Sequence, residues 1–195
     1  MMKIRAVILT IVLVLLLATA TWAFDGKREG FILGGGLGLG VTTYKYELGS
    51  QKRDREDNGA FATDFKIGYS PNAKLQVYYF TKSTWFKADY AFYDDETILS
   101  SVGGLGITIN MKNEAPTFYV SGGLGYSEWT FLFEEYAPPH MTGFGIFGGA
   151  GYEFSRHYNF GLDLTYGTPT HNYNHYGKSS VNPVSIKLTL NALAY

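Results

Sequence analysis

The stretch FILGGGLGLGVTTY, residues 31–44, decides the fold. Phe31, Leu33, Leu37, Leu39 and Val41 share one parity; Gly34, Gly36, Gly38, Gly40 and Thr42 share the other. A period of two identifies a β-strand with one apolar face. The opposite face is almost bare backbone rather than the charged face of a soluble sheet. The tetrapeptide GGLG at 35–38 returns at 103–106 and 122–125, with a near copy, GGAG, at 148–151.

The same alternation runs through 61–69, 75–82, 97–109, 117–127, 142–154, 159–167 and 183–192, which makes eight strands. The segments between them alternate in length. SPNAK (70–74), NMKNEAP (110–116) and SRHYN (155–159) are short, whereas 45–59, 83–96, 129–141 and 168–182 are long. Short turns at one end and long loops at the other describe an all-β, eight-stranded antiparallel transmembrane barrel in up-and-down order, with the long loops extracellular. Closure satisfies every backbone group in lipid. The apolar parity then faces lipid and the glycine parity faces the lumen: Gly34, Gly36, Gly38, Gly40, Gly104, Gly106, Gly123, Gly125, Gly143, Gly145, Gly149 and Gly151. An eight-stranded barrel is only just wide enough for side chains. Glycine leaves room for larger residues opposite and eases the strong curvature.

A phosphate-binding reading of the glycines fails on context. Gly143-Phe144-Gly145-Ile146-Phe147-Gly148 matches G-x-G-x-x-G, and Asp163 lies about twenty residues on, but the motif lies inside a strand and is followed by another strand. A lipocalin-like soluble barrel would need polar outer faces, and these are Leu, Ile, Val and Phe. Two aromatic belts are expected at the membrane interfaces. Tyr69, Phe118, Tyr152, Phe154 and Phe160 lie near the short turns, and Tyr44, Phe61, Trp85, Tyr126, Trp129 and Tyr166 near the long loops.

The first residues carry Lys3 and Arg5, an apolar run over 6–17 and the small-residue stretch ATATWA (18–23). This is the pattern of a secretory signal peptide over 1–23, cut after Ala20 or Ala23, with the barrel domain over 24–195. The apolar run is short of the roughly 20 residues a spanning helix needs. The 16 basic residues less Lys3 and Arg5 leave 14 against 17 acidic ones, a charge of −3 that gives no electrostatic footprint for nucleic acid. The chain has no Cys, which excludes disulfides and thiolate metal sites.

The stretches GYEFSRHYNFGLDLTYG (151–167) and VSIKLTLNALAY (184–195) resemble the small outer-membrane barrels of Gram-negative bacteria, the opacity-protein-like and OmpA/OmpX/OmpW-like outer membrane protein β-barrel domains. The resemblance covers the whole mature chain. It implies residence in the bacterial outer membrane, contact with its lipid and lipopolysaccharide, and recognition of the C-terminal Leu193 and Tyr195 by the barrel-insertion machinery. It is unspecific for activity, because such barrels include adhesins, structural proteins, narrow porin-like channels and lipid A enzymes. The last strand departs from the pattern: the apolar parity passes from Leu193 to Leu190, Leu188 and Ile186, which requires a bulge or a peeled end if Leu193 and Tyr195 face lipid.

Asp64, Lys66, Glu153, Asp163 and Lys187 share the inward parity. Hairpin counting sets Asp163 opposite Lys187. Buried charge must be paired, so these residues are expected to form an ion-pair network that seals the lumen. The alternative is a narrow channel for small or apolar solutes, with the same charges lining it. A third reading is a lipid A-modifying enzyme. No His-x-Ser is present; His157 precedes Tyr158 and His175 precedes Tyr176, so Ser179 or Ser180 meets His175 only through loop folding. A nucleophilic serine needs a base within hydrogen-bond reach. His171 and His175 are four apart but in a polar loop without helical pattern, so no metal or cofactor is expected. The long loops mix charge with aromatics, and Lys52, Arg53 and Arg55 suit lipopolysaccharide phosphates. The expectation is a monomeric, non-enzymatic barrel with a structural or surface-interaction role, offering its loops to an extracellular ligand.

Overall fold

A computed structural model describes residues 28–48, 51–52, 55–90, 93–132, 140–173 and 177–195. The signal-peptide stretch, Arg53 and His175 lie outside the described residues. Twelve strands follow one another: β1 Gly30–Tyr44, β2 Tyr46–Leu48, β3 Gln51–Lys52, β4 Glu56–Asn72, β5 Leu75–Tyr90, β6 Tyr93–Asn110, β7 Thr117–Leu132, β8 Met141–Ser155, β9 Tyr158–Gly167, β10 Thr170–Tyr173, β11 Gly177–Val181 and β12 Val184–Ala194. Eight of them form the wall in the order β1, β4, β5, β6, β7, β8, β9 and β12, each paired antiparallel to the next. The ring closes where β1 pairs with β12, from Leu33 opposite Ala194 to Thr43 opposite Val184. No wall strand is left with an open edge, as hydrocarbon requires.

The apolar parity faces outward. Leu39 is 71% exposed and Leu105 68%, while their neighbours in the same strands face inward. Phe31, Tyr69, Phe118, Tyr152, Phe154 and Tyr158 ring the short-turn end, and Phe61, Phe144 and Tyr166 lie nearer the other. Two residues assigned to the outer belt are not there. Tyr44 and Trp129 share the parity of Thr42 and Ser127 and are buried in the lumen. Tyr126 does face outward; its hydroxyl lies 2.6 Å from that of Tyr79, and its ring covers Gly103.

The wall is taller than the alternation suggests. The stretch 83–96, read as a loop, belongs mostly to β5 and β6, which pair from Trp85 opposite Leu99 up to Tyr90 opposite Tyr93. Here the inward residues Phe86, Ala88 and Ile98 are apolar and the outward Lys87 and Thr97 polar, so the apolar parity that marks the lower wall changes sides. The stretch 168–182 contains the hairpin β10–β11, which continues β9 and β12 beyond Pro169 and Pro183. Proline has no N–H for the ladder, but the ladder survives through its carbonyls. Gly167 N–H donates to Pro183 O at 3.1 Å and Val181 N–H to Pro169 O at 3.0 Å. Above the break, β11 pairs with β2 and β10 with β8.

The final strand has neither bulge nor peeled end. It pairs with β1 without a register shift as far as Ala194. With the pleat fixed, Lys187, Thr189 and Asn191 face inward, and Leu193 and Tyr195 must follow them. Both are buried inside the short-turn end rather than set against lipid.

Candidate functional site: the filled lumen

The inward side chains stack in layers. Arg28, just before β1, lies across the short-turn mouth. Its Nη2 and Nε donate to Glu153 Oε1 at 2.7 and 2.9 Å, and its Nη1 to Lys112 O at 3.0 Å. Both side chains are almost wholly buried. Ile32, Leu193 and Tyr195 pack here, and the amide of Gln76 donates to the Tyr195 hydroxyl at 3.3 Å. His157, in the turn between β8 and β9, lies with Nδ1 2.9 Å from Leu193 O.

Next come long polar side chains that reach across the barrel. Tyr119 donates to Asn159 Oδ1 at 2.8 Å, and Asn191 Nδ2 donates to the same oxygen at 3.1 Å. The Tyr78 and Thr108 hydroxyls are 2.9 Å apart. Lys66 Nζ donates to Gln76 Oε1 at 3.0 Å and lies 5.0 Å from the centre of the Tyr78 ring.

The central charge cluster is organised by Lys82. Its Nζ donates at 2.7 Å to Asp64 Oδ2 and at 2.7 Å to Asp163 Oδ2, from strands β4 and β9. Lys187 Nζ reaches Asp64 Oδ1 at 3.4 Å. Thr189 Oγ1 lies 3.4 Å from Asp64 Oδ2. Charge-assisted bonds at this length are the strong ones, and they offset part of the cost of removing four charges from water. Phe80 and Phe147 pack beside the cluster with ring centres 4.4 Å apart, and the Lys82 ammonium lies 5.0 Å from the Phe147 ring centre.

Above the charges, Thr42, Thr84 and Ser185 bond one another, Thr42 Oγ1 to Thr84 at 3.0 Å and to Ser185 at 2.9 Å. An aromatic layer of Tyr44, Phe86 and Trp129 follows, packed with Ile98 and Met141. The Trp129 ring centre lies 4.8 Å from that of Tyr44 and 5.6 Å from that of Phe86, both near edge-on. The Trp129 indole N–H is buried with no hydrogen-bond acceptor among the described residues. Leaving such a donor unpaired costs about 1–3 kcal/mol. Trp129→Phe is therefore expected to shift the denaturation midpoint little, because the lost ring contacts are offset by removal of that donor. A large loss in a urea titration would contradict this.

Of the five inward charges read from the sequence, the structure brings Asp64, Asp163 and Lys187 into one cluster. It places Glu153 with Arg28 at the mouth and sets Lys66 between them. Lys187 does lie opposite Asp163 in the β9–β12 register, but its salt-bridge partner is Asp64, while Asp163 bonds to Lys82. Sequence reading missed two of the four cations. Lys82 shares the parity of Gln76 and Tyr78, a usable signal in a weakly alternating strand. Arg28 precedes the first strand and carries no periodic signal.

The inward glycines fall into two physical groups. Some make room for large lumen residues: a β-carbon at Gly123 would meet Phe147 and Phe80 within 2.7 Å, one at Gly149 would run into Asp163, and one at Gly151 into Tyr119. Others let neighbouring strands coil closely. A β-carbon at Gly38 would strike the β12 backbone at Leu188 O, with Thr189 Cα at 2.7 Å.

On the outer face, Ser101 Oγ donates to Glu128 Oε2 at 3.3 Å, and His140 Nε2 lies 3.7 Å from Glu128 Oε1. The carboxylate stands between the other two, so among the described residues Ser101 is bonded to Glu128 and not to an imidazole, which a serine nucleophile needs as its base.

A closed antiparallel barrel with an apolar outer band, aromatic rims and a polar lumen is the architecture of outer-membrane barrels. No protein-family model matches the chain, and no curated protein matches it by sequence. Three solved structures are similar in fold. OprG of Pseudomonas aeruginosa is 16% identical, covering 87% of this chain and 97% of its own, at a TM-score of 0.48. Neisserial surface protein A is 14% identical, covering 81% and 96%, at 0.48. Ail, the attachment invasion locus protein of Yersinia pestis, is 13% identical, covering 84% and 99%, at 0.46. In architecture the chain is a small closed eight-stranded antiparallel β-barrel of the membrane-spanning kind.

Proposed function

We propose that this protein is a structural or surface-interaction barrel whose lumen is closed to solutes and whose working surface is its tall outer end. Residues 1–23 are its cleaved signal peptide, 24–195 its single barrel domain, and the end carrying Leu193 and Tyr195 is the segment read during insertion. The observation that carries the reading is the unbroken stack inside the wall: the Arg28–Glu153 lock, the Lys82-centred cluster and the Tyr44–Phe86–Trp129 layer. A conducting barrel needs a continuous water path. This stack leaves a cavity of about 40 Å³ within the polar layers. Outside, the β5–β6 extension and the β10–β11 hairpin prolong the wall, so the outer segments stand on paired strands. A rigid scaffold is well suited to presenting loops to a partner.

The experiment is solute flux into liposomes carrying refolded protein, with folding verified by a shift in gel mobility between unboiled and boiled samples. Flux equal to protein-free liposomes is expected. Passage of small solutes by folded protein overturns the closed lumen and turns Asp64, Lys66, Glu153, Asp163 and Lys187 into pore-lining residues.

A further inference from the structure

Among the described inward side chains below the aromatic layer, the charges do not balance. Between the Arg28 lock and the aromatic layer, the described inward side chains include four cations, Arg28, Lys66, Lys82 and Lys187, and three carboxylates, Asp64, Glu153 and Asp163. Glu56 and Glu96 also share the inward parity but lie beyond the aromatic layer, where Glu56 accepts from Tyr44. Arg28 is matched by Glu153, and Lys82 and Lys187 by Asp64 and Asp163. Lys66 is the remainder. Among the described residues it forms no salt bridge; its neutral partners are Gln76 Oε1 at 3.0 Å and the face of Tyr78.

A part-buried ammonium with no salt bridge of its own, inside a lipid-embedded wall, is costly. The cavity of about 40 Å³ lies against this side chain, and its lining includes Tyr119, Ser121, Asn159 and Asn191. Its size admits one or two water-sized particles. Asp64 and Asp163 also border it, but their charge is engaged by Lys82 and Lys187. We infer that this cavity is a binding site for one small monovalent anion, of the halide class, held as the counter-ion of Lys66. A halide is a compact sphere somewhat larger than a water molecule, can accept hydrogen bonds from ammonium, hydroxyl and amide donors, and restores neutrality to the lumen. Sulfate or phosphate is too large for the space.

The inference is tested on purified protein refolded into non-ionic detergent micelles, in sodium chloride or in sodium gluconate at equal concentration. An anion bound only by the folded state raises its equilibrium population in proportion to 1 + [L]/Kd, so chloride at ten times Kd gives about a tenfold gain. Wild type is expected to show a gain of about this size from gluconate to chloride. Lys66→Met is expected to show none, and to exceed wild type in gluconate. Crystals of wild type refolded and grown in sodium bromide are expected to show an anomalous peak between Lys66 and Tyr119. That measurement decides the matter if Lys66→Met fails to fold. An equal chloride gain in both proteins, no gain in wild type, or a cavity without a bromide peak overturns the site.

Discussion

Replacing Lys82 by methionine is expected to lower the stability of the folded barrel by about 3 kcal/mol or more, the usual cost of removing one partner from a buried charge group. Lys82 holds Asp64 and Asp163 together with two bonds of 2.7 Å. Without it, both carboxylates remain inside the wall with Lys187 as the one cation of the cluster, 3.4 Å from Asp64. Methionine keeps most of the volume, so the loss reports charge rather than packing. Lys187→Met should cost less, because Lys82 still serves both carboxylates. The double variant Lys82→Met with Asp163→Asn should recover part of the loss, since it removes one of the stranded charges. Urea titrations of the refolded proteins measure all three. A Lys82→Met midpoint equal to wild type would show that the cluster does not stabilise the barrel.

Gly38→Val is expected to prevent closure altogether. Gly38 lies in β1 opposite Thr189 of the closing strand β12, in the pairing that joins the first strand to the last. A β-carbon there meets backbone, with Leu188 C at 2.9 Å and Thr189 Cα at 2.7 Å, and backbone in a closed ladder has nowhere to move. The control is Gly148→Val. Gly148 faces lipid, and nothing lies within 4 Å of a β-carbon at that position. Valine adds apolar area to the outer band and suits a strand, so this variant should refold as wild type does. The gel-mobility shift separates the two. Closure of Gly38→Val, or failure of both, would contradict the division of the glycines by face.

The sequence by itself determined the wall. Period two over 31–42 and its repeats, broken only locally by Ile32 and Gly35, gives strands, the apolar parity gives the lipid face, and the alternation of short and long linkers gives an up-and-down barrel. These are local properties, because a pleat fixes where each side chain points once one neighbour is known. The same rule applied strictly puts Leu193, Tyr195, Tyr44 and Trp129 inside. Aromatic character in Tyr44 and Trp129, and a C-terminal position in Leu193 and Tyr195, point to the outer face instead, and parity prevails. The inward charges Asp64, Lys66, Glu153, Asp163 and Lys187 were legible for the same local reason.

Only the tertiary structure decided who pairs with whom. Lys82 meets Asp163 across 81 residues and Arg28 meets Glu153 across 125. Such partners are fixed by the stagger of strands around the closed ring, which no local pattern encodes. The height of the wall was hidden for a related reason: where Phe86, Ile98 and Trp129 fill the lumen, the inward face is apolar and outward residues such as Lys87, Thr97 and Glu128 are polar, the reverse of the pattern lower in the wall. The cavity beside Lys66 is likewise a property of the closed ring, the space left when side chains from different strands meet at its centre.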